Sequence, residues 1–265
     1  AVSENMWAGN SIYINVSEWS EVRSFSVVNY NLNRGVTSRV AANVSPSDIS
    51  ADGRYIVVRL LTENGIFVRD RVTNQYVRVS VNSQGVASNQ SVYGGSISDD
   101  GRYVVFTSTA TNLAPDDSGG RRDVFLHDRQ TGETRRISVN AQGIEGNQNS
   151  LDAIISSDGR YVVFTSTATN LVPNDTNGMQ DIFIYDTQTG QITLVSASSA
   201  GVIGNNNSGY PSISNDGRYV LFVSQASNLV ASDTDINYDI YIKDMQTGQL
   251  TLESLNHAGD KLTSA

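Results

Sequence analysis

The sequence contains no cysteine, four prolines, two tryptophans and two histidines. Without cysteine there is no disulfide framework, zinc ribbon, iron–sulfur cluster or thiol nucleophile. At 265 residues the chain needs no such staple, and its length allows one large domain or two small ones. Positive charge is scarce: 18 Lys and Arg stand against 27 Asp and Glu, a net charge of -9. That balance argues against nucleic acid, which needs a basic patch, and against docking on an anionic membrane. No apolar run reaches the length that would span a bilayer as a helix. Familiar catalytic signatures are missing too: no His-Glu-x-x-His, no Gly-x-Ser-x-Gly and no phosphate loop. The chain starts at Ala1, which suits a mature secreted protein after cleavage and equally an excised fragment. Its cysteine-free, acidic, Asn/Ser/Thr/Gly-rich composition leans towards an extracytoplasmic, secreted or periplasmic, bacterial protein.

What is present is a repeat. Asp-Gly-Arg-Tyr occurs at Asp52–Tyr55, Asp100–Tyr103, Asp158–Tyr161 and Asp216–Tyr219. The last three copies are 58 residues apart, and the first interval is 48. Each copy follows an Ile-Ser pair and precedes a β-branched and aromatic run such as Tyr161-Val162-Val163-Phe164. A polar loop, a third run such as Asp181-Ile182-Phe183-Ile184, a Thr-Gly turn and a fourth run complete the unit. No segment sustains a helical period. Repeated four-stranded antiparallel units of this size predict an all-β propeller, with a β-sandwich as the rival that has no need of near-identical repeats.

These units resemble the TolB-like, PD40-type (WD40-like) propeller repeats of bacteria. The matching residues are Ser157-Asp158-Gly159-Arg160, Asp181-Ile182-Phe183-Ile184-Tyr185-Asp186 and Thr189-Gly190. The departure is the residue before Asp, which is Ala51, Asp99, Ser157 or Asn215 where the family has Pro. The resemblance covers roughly Pro46 to Ser254 and implies a fold more than an activity. It divides the chain into a partial blade (1–45), four blades (46–92, 93–150, 151–208 and 209–256) and the start of a closing segment (257–265). In the partial blade, Ser11–Val16 matches a third strand and Ser24–Val28 a fourth. A ring of about five blades is expected. The alternatives are a fragment of a six-bladed propeller and half-blades exchanged between chains, a route to self-assembly.

The short first interval marks an insertion. Blade one is expected to join its second and third strands through a tight Asn64-Gly65 hairpin. The other three blades carry a longer, oxygen-rich loop there. Blade four reads Asp233-x-Asp235-x-Asn237-x-Asp239, blade three offers Asp175, Asn177 and Asp181, and blade two keeps Asp117 and Asp123. Carboxylates and amides at such spacing suit calcium, which takes six to eight oxygens. By ligand count blade four ranks above three, and three above two. Asp and Asn also cap turns through their own side chains, which is the plainer reading. Leu113, Leu171 and Leu229 are expected to cover the blade ends. Asn89, Asn147 and Asn205 fall in register on the interblade connections and form a candidate ring for a sugar or peptide, with solvated turns as the alternative.

Two further groups read as structural. Arg54, Arg102, Arg160 and Arg218 are expected to pair with Asp70, Asp128, Asp186 and Asp244. His127 aligns with Arg69, Tyr185 and Lys243, a variable slot read as surface, while His257 has no repeat partner. The composite expectation is an extracytoplasmic binding module for a protein or glycan, with calcium-stabilised loops and no catalytic residue assigned. The alternatives are a lyase-like polysaccharide enzyme with its site in the central channel, and a structural subunit.

Overall fold

The computed structural model describes residues 45–117 and 119–255 in full, and only the backbone of Val44 and of three N-terminal strands. Those strands, β1 (Tyr13–Asn15), β2 (Ser24–Val28) and β3 (Thr37–Ala42), form one antiparallel sheet in that order. The closing segment, His257 included, lies outside the described residues, as do Ser11, Ile12 and Val16 of the expected N-terminal strand.

Four sheets of four antiparallel strands make up the rest. They run β4 (Val44–Ile49) to β7 (Tyr76–Arg78), β8 (Val92–Ile97) to β11 (Thr134–Arg136), β12 (Ser150–Ile155) to β15 (Ile192–Leu194), and β16 (Ser208–Ile213) to β19 (Leu250–Leu252). Within each sheet, strands neighbouring in sequence are neighbours in space. First strands of successive sheets meet, β4 with β8, β8 with β12 and β12 with β16. This is radial stacking of blades about their first strands.

The core lies between blades. One cluster joins Val105, Val124 and Leu126 of blade two to Phe164, Leu171 and Phe183 of blade three. Similar clusters join blades one and two, and three and four. Both faces of an inner blade are therefore buried, which explains the unbroken apolar runs in its middle strands. A stacked ring pair recurs in each of the last three blades: Phe106–Phe125, Phe164–Phe183 and Phe222–Tyr241, 5.6–5.8 Å apart. Blade four has one open face. Leu221 and Ile240 are 37% and 40% exposed, whereas Val163 and Ile182, their counterparts in blade three, are fully buried.

Asp-Gly-Arg-Tyr does four jobs at once. In blade three, Ser156 Oγ donates to Asp158 Oδ1 at 2.6 Å, and that oxygen accepts the Arg160 N–H at 2.9 Å. Ser156 Oγ also accepts the Tyr161 N–H at 2.9 Å, closing the turn. The same three bonds form in the other blades. Arg160 reaches Asp186 at the end of the third strand, and the pairs Arg54–Asp70, Arg102–Asp128 and Arg218–Asp244 repeat it at 2.7–2.9 Å. Each of these aspartates also accepts a backbone N–H from the following turn, for example Gln188 to Asp186 at 2.8 Å. The Arg102 guanidinium holds Asp128 down at about 2.

The glycine and tyrosine link neighbouring blades. Gly159 sits at φ 73°, in the left-handed region, and faces the ring of Tyr103 from blade two. A Cβ there would lie 2.5 Å from Tyr103 Cδ2. Tyr55 meets Gly101 and Tyr161 meets Gly217 in the same way.

Two expectations are corrected. The blade-one hairpin is not a two-residue Asn64-Gly65 turn: Leu60 pairs with Gly65, so Gly65 opens the third strand and residues 61–64 make the turn. His127 is not on the surface. It is 5% exposed, and its Nδ1 lies 2.8 Å from Thr134 Oγ1, which donates to Val81 O of blade one. The connection from the preceding blade covers this slot. Lys243 is buried there too, donating to Ala197 O and Ser198 O.

Candidate metal centre

The long loops begin with a reciprocal asparagine clamp. Asn147 Nδ2 donates to Thr169 Oγ1 at 2.9 Å and its Oδ1 accepts the Thr169 N–H at 2.9 Å. Asn170 returns the bonds: its Oδ1 accepts the Asn147 N–H and its Nδ2 donates to Glu145 O, both at 2.8 Å. Asn89 with Asn112 and Asn205 with Asn228 repeat the arrangement. The amides of Asn89, Asn147 and Asn205 are thus engaged in binding loop to connection. Leu113, Leu171 and Leu229, next in each loop, are at most 2% exposed and seal the blade end.

Beyond the leucine the loop turns its acids inward, towards the aspartate that opens the third strand. In blade two the carboxylate oxygens of Asp117, Asp123 and Glu145 lie within 4.8 Å of one another. Arg136 stands among them, its Nη1 at 3.2 Å from Glu145 and 3.6 Å from Asp117, with its side chain 6% exposed. Asp123 accepts Ser138 Oγ at 2.6 Å. Burial nevertheless pushes Asp123 up to about 7 and also raises Asp117.

Blade three holds Asp175, Asn177 and Asp181. Asp181 is fully buried and accepts Ser196 Oγ at 2.6 Å and Asn177 Nδ2 at 2.8 Å. The same Asn177 nitrogen donates to Gly204 O at 2.9 Å, which brings a backbone carbonyl to the group. Asp175 is 5% exposed, and its Oδ1 has no hydrogen-bond partner. Burial pushes Asp181 up to about 6, and the charge of Asp175 adds to that rise. Where blade two has Arg136, strand register puts Leu194.

Blade four groups Asp233, Asp235 and Asp239, whose oxygens again lie within 4.8 Å of one another. Asp233 and Asp239 are buried. Tyr241 donates its hydroxyl to Asp233, and Ser254 Oγ donates to Asp239 at 2.5 Å. Burial and that bond to Asp233 raise the Tyr241 phenol. Asn237 is exposed, and what it gives is a backbone N–H to Asp235 at 2.9 Å. Leu252 takes the arginine position. Blade one has neither the long loop nor the buried acids: Gly65 replaces the aspartate, and Arg78 donates to the Glu63 and Asn64 carbonyls.

Sequence reading had not assigned Glu145, Arg136, the serines Ser138, Ser196 and Ser254, or Tyr241. The serines were detectable, since they recur at the 58-residue period. Glu145 and Arg136 lie far downstream of the loop and join it only through the fold.

A cavity of about 150 Å³ lies between β8 and β12, lined by Tyr93, Thr107, Arg122 and Asp152 among others. Arg122 and Arg59 lie over the Tyr93 ring at 4.0 and 5.2 Å. A hydrogen bond with Ser91 and the charge of Arg122 lower the Tyr93 phenol against a smaller cost of burial. At the bulges of β8, β12 and β16 a residue is left-handed: Gly94 at φ 59°, Asp152 at 51° and Tyr210 at 52°.

No family model and no curated protein matches the sequence. Solved structures do match the fold. TolB of Agrobacterium tumefaciens aligns over 88% of this chain and 70% of its own, at 16% identity and a TM-score of 0.54. The β-propeller domain of the trilobed protease of Pyrococcus furiosus aligns over 92% and 67%, at 14% identity and a TM-score of 0.57. The chain has the β-propeller fold. Its blades are similar to those of TolB-like proteins, as the repeat implied. An oligogalacturonate lyase in complex with manganese aligns over 87% of this propeller, which spans 58% of the lyase, at 14% identity and a TM-score of 0.58. No helix among the described residues is long and apolar enough to cross a membrane.

Proposed function

We propose that the chain is an extracytoplasmic binding propeller that receives a protein partner on the rim formed by the long loops. One observation carries this reading: loops clamped at their start expose apolar and aromatic side chains where they run into the third strand. Ile236 and Tyr238 are 67% and 68% exposed, and Met179, 37% exposed, lies in the corresponding stretch of blade three. In blade two the same stretch holds Arg121, 4.0 Å from Glu145, and Arg122, over the Tyr93 ring. Aromatic, Met and Arg side chains are the types enriched where proteins meet, and a fixed loop loses little entropy on binding. The test is Ile236→Ser with Tyr238→Ser in the immobilised chain, challenged with an extracytoplasmic protein fraction and with a glycan panel. A protein captured by the parent and lost by the variant, at an unchanged melting temperature, is the expected result. Equal capture by both proteins, or binding to glycans alone, refutes it.

The first-strand cavity favours a second reading, a carbohydrate-active site in the channel. Lyase chemistry needs a base and a group that neutralises charge, and Tyr93 beside Arg122 offers that chemistry. Incubation with oligogalacturonate and other acidic polysaccharides would release unsaturated products absorbing in the ultraviolet. Tyr93→Phe should abolish their release. No product from the parent chain sinks this reading.

A further inference from the structure

The three loop pockets are variants of one arrangement, and their differences point to a missing cation. All three bury the third-strand aspartate under a serine hydroxyl and set a second loop aspartate beside it. Blade two adds a third acid, Glu145, and places a buried guanidinium among the carboxylates. Blade three keeps two buried carboxylates and substitutes Leu194 for the arginine. No ion pair to Asp175 or Asp181 is found among the described residues. Blade one lacks the acids, and its arginine serves backbone carbonyls. The arginine and the buried acids therefore meet in blade two, blade one keeps the arginine, Arg78, without the acids, and blade three keeps the acids without the arginine.

An ionised carboxylate out of water is costly unless a charge or hydrogen-bond donors compensate it. Asp175 has an oxygen with no donor although the residue is 95% buried. The oxygens of this pocket are two carboxylates and the Gly204 carbonyl; the Asn177 oxygen accepts the Met179 N–H at 2.9 Å, and a half-turn of that amide would bring it inward as a fourth. No sulfur or imidazole is present. A hard divalent cation matches that set, and six to eight ligands completed by water favour calcium over the smaller, octahedral magnesium.

We propose that Asp175, Asp181 and Asn177 of blade three form a calcium site, and that Arg136 occupies the equivalent place in blade two as a built-in cation. Blade four also has a leucine, Leu252, at the arginine position, beside a group of three aspartates. This is independent of whether the rim binds a partner.

The experiment uses the full chain freed of metal by chelation, with calcium as the probe and magnesium as the control. Thermal unfolding and calorimetric titration are read together. A ligand that binds only the folded state raises the midpoint, and at a hundredfold excess over Kd the rise for a chain of this size is roughly 5–10 °C. Asp175→Asn should lower the calcium stoichiometry by one while leaving the metal-free melting point unchanged or higher, because it removes a buried charge. Leu194→Arg should likewise remove the blade-three equivalent. Arg136→Leu should add one equivalent in blade two. No rise in the parent at millimolar calcium overturns the proposal. So does an unchanged calcium response in Asp175→Asn with a lowered metal-free melting point, which would make Asp175 a structural residue only. Should Arg136→Leu not fold, Leu194→Arg decides the arginine part: full stoichiometry in that variant refutes it.

Discussion

Gly159→Ala should destabilise the chain well beyond Gly132→Ala, although both positions need a left-handed backbone. Their φ angles are 73° and 78°. An alanine in that region costs about 1–2 kcal/mol at either site. The difference lies in what the new methyl meets. At Gly132 nothing lies within 4 Å of the added carbon. At Gly159 it would lie 2.5 Å from Tyr103 Cδ2, 3.1 Å from Tyr103 Cε2 and 3.4 Å from Ser98 Cβ. That ring belongs to the preceding blade, so relief requires moving one blade against another. Overpacking of this kind costs a further ~1–3 kcal/mol. Urea unfolding at equilibrium measures both variants, and each kcal/mol corresponds to about 2–4 °C in the melting temperature at this size. The cause is isolated by repeating Gly159→Ala in a Tyr103→Ala background, where its cost should fall to that of Gly132→Ala. Equal costs for the two glycine variants, or a Gly159→Ala cost that survives removal of the tyrosine, would refute the interlock.

Three further outcomes are expected. Asn147→Ala removes two hydrogen bonds between loop and connection, so it should cost about 1–2 kcal/mol in urea unfolding and speed hydrogen exchange at the Thr169 amide; unchanged exchange would show that the clamp carries nothing. His127 is held down at about 4 by burial and by Arg129, against the opposing pull of Asp128. Its folded pKa is thus below the unfolded value, so its contribution is complete above about 6.5 and is lost as pH falls towards 4. The loss is about 3 kcal/mol, and His127→Gln should flatten that part of the stability profile. Arg160→Met breaks an ion pair whose arginine is 38% exposed, and its cost should stay below ~1 kcal/mol and shrink with salt.

Much of this architecture was legible because the repeat aligns equivalent residues. Turn chemistry marked the Asp-Gly-Arg-Tyr corners, β-branched runs marked the middle strands, and opposite charges at matching positions marked the Arg–Asp pairs. What escaped reading belongs to the joints between units. His127 stands at a strand end that an isolated blade would leave in water, but the preceding blade's connection crosses it. Asn89, Asn147 and Asn205 were visible as a set, whereas their partners Asn112, Asn170 and Asn228 become partners only when loop meets connection. The acid-rich loops were read from composition, yet Arg136 sits on the fourth strand, beyond the reach of any local spacing rule. Asn237 was chosen on alternate spacing, and in the fold it is exposed, with its backbone N–H given to Asp235.

The Tyr–Gly contact also bears on how such a chain could change length. Every internal unit offers a tyrosine to one neighbour and a glycine to the other, so the two sides of a unit are complementary to any other unit. Duplicating or deleting a 58-residue stretch would leave an intact joint at the seam. Copy number can therefore drift without new surface having to evolve, and the limit on it is how many wedges fit around one axis.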